Sequence, residues 1–385
     1  MTFQEYRFIN VASLINGRAY LMPELQDSGK YKIVRVGNFT GKDEWFFSDM
    51  ELEPEKYCEN GDLLYKWACT FGPEIWKGDK TIYHYHIWKV VCNPVLLDKT
   101  FFFYYLKYYT PLWLSGTNGA TMVHITKASM EKKKLYLPTL PEQQKIASIL
   151  SAYDSQIENN QKRIKLLEQM AENLYKEWFV RFRFPGYENT EFEGGVPKGW
   201  CIKKLNSVSD IVYGFPFNSN YFCSDSSLNP VVRIRDIADK HTETYTPEKP
   251  DDKYLIHTND ILIGMDGIFH MNIWTNEGDY LNQRVVKVSS KVQYLSNLYL
   301  FYSLYPQVKM LESIISGTTV AHLSAKDMNK MTVLIPSDDV LKLCFSRFEN
   351  ILSMRRTLLV QNDLLTTQRD LLLPRLMSGK LTINV

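Results

Sequence analysis

Two periods of hydrophobic and polar residues divide this chain. In residues 1–138, short stretches such as Lys32-Ile33-Val34-Arg35-Val36 and Ile82-Tyr83-His84-Tyr85-His86-Ile87 alternate at a period of two between Gly, Asn and Asp turns, which predicts half-buried strands in an α+β domain. From Pro141 the period changes. No Gly or Pro interrupts the chain until Pro185, and Ile146, Leu150, Tyr153, Ile157, Asn160, Ile164, Leu167, Ala171, Leu174 and Trp178 recur by fours and threes. This is a heptad seam of about 37 residues, roughly 55 Å if fully helical. Proline in a first turn followed by Glu142 suits its start. Asn160 puts a polar group on the seam, where it either fixes register or lies at a solvated edge.

The same two textures then recur. Val34-Arg35-Val36 returns as Val232-Arg233-Ile234, Asp62-Leu63-Leu64 as Asp260-Ile261-Leu262, Lys89-Val90 as Lys287-Val288 and Leu137-Pro138 as Ile335-Pro336, each 198 positions later. One offset held over a hundred residues means two copies of one domain and its connector. After Pro336, Phe345, Phe348, Leu352, Arg355, Leu359, Asn362 and Leu365 or Thr366 repeat the four-three spacing, and Pro374 is expected to end or kink that helix. The predicted segments are a domain at 1–138, a long helix with its exit at 139–184, a second domain at 185–335 and a second helix at 336–385. The two helices are expected to pair as an antiparallel coiled coil. The Gly- and Pro-rich stretch 181–200, with Phe182, Phe184 and Trp200, reads as a linker that docks.

Composition narrows the chemistry. The 385 residues are 45% hydrophobic with a net charge of +2, so basic groups for a nucleic acid would have to gather on one face. Aromatic residues reach 14%, which suits either β-rich cores or binding surfaces. Six scattered cysteines without a CxxC read as reduced thiols of a cytoplasmic protein, and neither a signal peptide nor a membrane-spanning run is expected. There is no GxxxxGK[ST], HExxH, GxSxG or amino-methyltransferase motif, and Gly264-Met265-Asp266-Gly267 is too short for a dinucleotide fingerprint. His84 and His86 could form half of a metal site, but no third ligand lies nearby in sequence. No catalytic or metal residues are therefore assigned.

Certain segments resemble a known family. Leu137-Pro138-Thr139-Leu140-Pro141-Glu142-Gln143-Gln144-Lys145-Ile146-Ala147 and Leu174-Tyr175-Lys176-Glu177-Trp178-Phe179 resemble the central conserved region of type I restriction-modification specificity subunits. Arg369-Asp370-Leu371-Leu372-Leu373-Pro374-Arg375-Leu376-Met377-Ser378-Gly379 resembles the matching C-terminal region, and Gly61-Asp62-Leu63-Leu64 a motif of the recognition domains. Two departures are Asn259-Asp260 in place of the second Gly-Asp and Ser337-Asp338-Asp339 in place of Pro-Glu-Gln. The resemblance implies two tandem target recognition domains that read the halves of a bipartite, asymmetric double-stranded DNA target at a spacing set by the helices. It also implies docking of two methyltransferase subunits and motor-nuclease subunits, with S-adenosylmethionine, ATP and Mg on those partners and none bound here. Without the resemblance, two other readings remain: an unrecognised fused restriction endonuclease, or a helical protein-interaction scaffold.

Candidate DNA contacts are polar residues near the repeated strands: Arg35, Lys77, Lys80 and His124 in the first copy, and Arg233, Arg235, Gln283, Arg284 and His322 in the second. Arg35 and Arg233 are equivalent, which favours a shared structural or phosphate role. Two heads that read different sequences must differ where they read, so base contacts should lie in divergent segments such as 66–82 against 264–281. Trp67, Trp76 and Trp274 in those segments would either support a readout loop or fill a core.

Overall fold

The computed structural model describes residues 2–41, 44–115, 125–315 and 321–383. They form two compact units: Met1–Asn159 with Asn362–Val385, and Asn160–Gln361.

The first unit is built on a four-stranded sheet in which Ala12–Asn16, Ile87–Cys92, Leu63–Lys66 and Gly72–Ile75 lie side by side. A second sheet pairs Tyr31–Val34 in parallel with Thr81–Tyr83. The ends of the domain are tied by Gln4–Arg7, antiparallel to Lys134–Leu137. The helix Lys99–Ser115 buries Phe101, Phe102, Tyr104, Tyr105 and Leu106.

The second unit repeats this order. Ser209–Tyr213, Val285–Ser290, Ile261–Gly264 and Met271–Ile273 make its four-stranded sheet. Asn229–Val232 runs parallel to Tyr280–Leu281, Cys201–Lys204 pairs with Thr332–Ile335, and Asn297–Ile315 supplies the helix. Register follows the duplication residue by residue: Leu63 faces Val90 as Ile261 faces Val288, and Val34 faces Tyr83 as Val232 faces Leu281.

The Gly61-to-Asn259 departure leaves the turn unchanged. Both residues adopt left-handed backbone, at φ 89° and 72°, a conformation open to glycine and better tolerated by Asn than by most other residues. The following aspartates then do the same work. Asp62 accepts from the Glu59 N–H at 2.9 Å and Asp260 from the His257 N–H at 2.7 Å. Lys89 and Lys287 approach those carboxylates at 4.0 and 3.7 Å, and each donates to a backbone carbonyl, of Tyr57 and Leu255 respectively. The repeated Asp and Lys are thus turn framework.

The long helices are Leu140–Tyr175, extended by a π-helical turn Lys176–Val180, and Asp338–Met377. The first opens on Thr139, whose N–H and hydroxyl both donate to Glu142 at 2.9 Å. The second opens on Asp338 and Asp339, acidic residues that suit the positive end of a helix. Within the first unit Arg369 pairs with Asp154; within the second Arg355 pairs with Glu168 at 3.0 Å, and Asn160 donates to Gln361 at 3.5 Å. In the second unit partner numbers fall as helix numbers rise, so the helices run antiparallel there.

The seam of the central helix is buried or half-buried at every expected position, and Asn160 is fully buried, which excludes the solvated-edge alternative. On the C-terminal helix the buried row is Leu341, Cys344, Phe348, Ile351, Arg355, Leu358 and Asn362, with Leu352 beside it. Leu358 therefore takes the position expected for Leu359, and Cys344 that expected for Phe345; Leu359 and Phe345 are half-buried. Leucine or phenylalanine next to another apolar residue leaves a one-residue ambiguity of phase that only packing resolves.

Pro374 does not end its helix, which runs on to Met377. The proline sits in the last turn, so few residues lie beyond the hydrogen bond it omits, and Leu373, Leu376 and Met377 are held in the first unit's core. The helix is closed two residues later by Gly379, in left-handed backbone at φ 73°.

Each helix begins beside its own repeat and ends in the core of the other. Trp178 and Phe179 belong to the second unit's core, and their counterparts 198 residues on, Leu376 and Met377, to the first unit's. Phe184 and Trp200 of the linker are buried with Trp178, their rings 4.9 Å apart. Leu376→Ala is expected to cost about 2–5 kcal/mol, with hydrogen exchange rising in residues 2–137 and unchanged in 201–335. Equal acceleration in both ranges would show that the residue does not belong to one core.

Candidate nucleic-acid interface

Equivalent turns in the two units share a backbone hydrogen-bond pattern but carry unlike side chains, and Arg284 adopts left-handed backbone where its equivalent His86 does not. In the first, Thr81–Tyr83 passes through His84-Tyr85-His86 into Ile87–Cys92; in the second, Tyr280–Leu281 passes through Asn282-Gln283-Arg284 into Val285–Ser290. The Gly17 and Arg18 N–H groups donate to the Ile87 and Tyr83 carbonyls, both at 3.1 Å, and the Tyr85 N–H donates back to Arg18 at 3.0 Å. In the second unit Gly214 donates to Val285 at 3.0 Å, Phe215 to Leu281 at 2.9 Å, and the Gln283 N–H returns to Phe215 at 2.8 Å. A Cβ on Gly17 would lie 2.3 Å from the Tyr83 carbonyl oxygen, and one on Gly214 1.9 Å from that of Asn282, so both approaches require glycine.

On this shared frame the first turn is aromatic. The Trp67 indole donates to the Tyr85 carbonyl at 2.8 Å, meets the His86 ring at 5.2 Å and stacks on Trp88 at 5.7 Å. His84, His86, Arg35, Asn38, Phe46 and Cys69 line a cavity of about 460 Å³. Burial, with smaller contributions from His86 and Arg35, pushes the His84 imidazole down to about 4. His84 is therefore neutral at physiological pH.

The second turn is polar and charged. Arg284 is in left-handed backbone at φ 70°, a conformation that costs a non-glycine residue about 1–3 kcal/mol. Its Nε lies 3.5 Å from Asp266 Oδ2, and Asp266 Oδ1 is 2.6 Å from His322 Nδ1. At the equivalents of Asp266 and Arg284 the first unit has Ala68 and His86.

The remaining sequence candidates fall into place as follows. The Arg35 and Arg233 N–H groups each donate at 2.8 Å to a side chain three residues on, Asn38 and Asp236, and each guanidinium lies over a ring, of Phe46 and Phe222. Arg235 is exposed beside Asp236. Lys77 pairs with Glu158 of the central helix, and Lys80 lies between Glu59 and the Tyr57 ring. Gln283 is exposed on its turn, and His322 is held by Asp266. His124 lies outside the described residues. Trp274 is fully buried and donates to Asp279 at 2.7 Å; Trp76, its equivalent, is half-buried and donates to the Asp79 carbonyl. Asp266 lies in the divergent segment 264–281 but is not among the sequence candidates; its contrast with Ala68 is the available signal.

Comparison with known proteins agrees with this duplicated architecture. The sequence profile of the type I restriction modification DNA specificity domain matches residues 2–169 and again 197–355. The chain belongs to the type I restriction-modification DNA specificity family. It is similar to the type I restriction enzyme MjaVIII specificity subunit of Methanocaldococcus jannaschii, at 24% identity over 92% of this chain and 93% of that protein. The MjaIX specificity subunit of the same organism is 26% identical over 69% of this chain and 65% of its own length. Among solved structures, a type I restriction-modification S subunit from M. genitalium shares the fold, with a TM-score of 0.62 at 14% identity over 98% of this chain and 96% of that one.

Among the described residues no cluster of three or more His, Cys, Asp or Glu residues could hold a metal ion, and no helix is long and apolar enough to cross a membrane. The two repeats thus differ in side-chain chemistry on the turn that Gly17 or Gly214 supports. The His84 titration gives a pH test. Unfolded, the imidazole titrates near 6.5; folded, near 4. Its stabilising contribution is therefore full above pH 6.5 and falls as pH drops through that interval. Urea midpoints of the first unit at pH 7 and pH 5 should differ less in His84→Gln than in the parent. An unchanged difference would show that His84 is not the group responsible.

Proposed function

We propose that this chain is the DNA sequence-recognition subunit of a type I restriction-modification complex and does no chemistry of its own. It reads a bipartite, asymmetric double-stranded target, one half with each unit. Two methyltransferase subunits dock on it, and motor-nuclease subunits join them. S-adenosylmethionine, ATP and Mg act on those partners.

One observation carries the reading: two units of identical register differ in chemistry at the same turn, aromatic and imidazole in one, amide and guanidinium in the other. Two copies with identical turns would suit a palindrome, whereas unlike side chains on a common frame suit an asymmetric target. Family membership and the antiparallel helix pair support the same reading. The long helices serve as spacer and docking platform.

Replacing residues 1–138 with the corresponding domain of another specificity subunit should change one half-site only, as seen by mapping methylated adenines in cells that carry the partner methyltransferase. Change in both halves would refute the two-headed reading. Inserting seven residues near Leu167, with seven opposite them on the C-terminal helix, should lengthen the unspecified spacer and leave both half-sites intact. An unaltered spacer would mean that the helices do not set it.

A further inference from the structure

We propose that Asp266 positions Arg284 to read a guanine in the half-site of the second unit, an assignment that rests on the DNA-reading function proposed above. Arg284 stands on the turn that differs between the repeats, with half its side chain exposed. The Met265 N–H donates to the Arg284 carbonyl at 2.9 Å, and the segment that carries Met265 is itself tied to the next, the Leu323 N–H donating to Met265 at 2.7 Å and the Gly267 N–H to Ala321 at 2.9 Å.

Asp266 then fixes where it goes. Its Oδ2 faces Arg284 Nε at 3.5 Å, on the inner edge of the guanidinium, so the terminal Nη pair is the edge left to meet a ligand. That edge carries parallel N–H groups, the fork that spans O6 and N7 of guanine in the major groove. The other carboxylate oxygen is 2.6 Å from His322 Nδ1, so the carboxylate is braced on both sides. His322 is itself partly exposed beside the turn.

The carboxylate also separates base reading from phosphate binding. A guanidinium meant for a phosphate gains nothing from a carboxylate 3.5 Å away, because the acid repels the phosphate and offsets the attraction. A guanine edge bears only partial charge, and there a braced, correctly aimed donor pair is worth more than net charge. The first unit has Ala68 and His86 at these positions and so lacks the pair, which accords with a different base at its own half-site.

The test maps methylation by the assembled complex with Arg284→Ala, Arg284→Lys, Asp266→Asn and Asp266→Glu in the full chain. Both Arg284 variants should make one guanine position of the second half-site degenerate, its discrimination falling roughly 10- to 100-fold, with the first half-site unchanged. Arg284→Lys keeps the charge and loses the fork, so specificity there must relax even where binding survives. Asp266→Asn should relax the same position to a smaller degree, and Asp266→Glu should recover part of it. An even loss of methylation with the full motif retained, or an unaltered motif at full activity, would overturn the assignment alone. A parent complex that methylates no bipartite motif would overturn the proposed function and this assignment with it.

Discussion

Close backbone contact at Gly17 and Gly214 is the constraint on which the rest of the structure depends. There the chain runs against the carbonyl oxygens of the neighbouring turn with no room for a Cβ, and hydrogen bonds on both sides lock the turn to its neighbour. These backbone bonds can be made by any residue, and the turn side chains only add to them: His84 Nδ1 accepts from the His86 N–H and Asn282 Oδ1 from the Gln283 N–H. His84-Tyr85-His86 and Asn282-Gln283-Arg284 can therefore differ completely without disturbing the sheets that carry them. The Asp62–Lys89 and Asp260–Lys287 pairs beneath do the same for the adjoining turns, holding them through backbone groups that every residue has. Recognition surfaces diversify most easily on such a support, because substitution changes chemistry with little cost to folding.

Much of this was legible in the chain itself. The 198-residue offset is a property of framework residues, and strand register, the left-handed turns at Gly61 and Asn259 and the aspartates that follow them all keep it because they answer to backbone geometry. The four-three seam was legible because burial on a helix is periodic; its phase at Leu358 and Leu359 was not, since two adjacent leucines satisfy the pattern equally and only the facing helix chooses between them. Trp76 and Trp274 show the opposite limit. Their sequence context leaves open whether they support a readout loop or fill a core, and in the structure both indoles are spent on local hydrogen bonds. The Asp266–Arg284–His322 cluster joins three segments far apart in sequence, and no local spacing could have announced it.

The helix pair carries polar groups where apolar ones would have been more stable. Asn160, Arg355 with Glu168, and Arg369 with Asp154 all sit on or beside the seam. Burying charge seldom adds net stability, but a misregistered pairing would strand each of these groups without its partner. An antiparallel pair of similar helices has several near-equivalent registers, and polar groups at unequal intervals leave one of them satisfied. Register here is chosen by the penalty on the alternatives.

The exchanged helix ends bear on how the protein is made. A ribosome makes residues 160–361 as one uninterrupted stretch, so the second unit has every part of its core before residues 362–385 are made. The first unit does not, because Leu373, Leu376 and Met377 follow the whole of the second unit in sequence. Its sheets must wait, incompletely covered, while more than two hundred further residues are translated. The two copies of one domain therefore mature in reverse order: the half that is written first closes last.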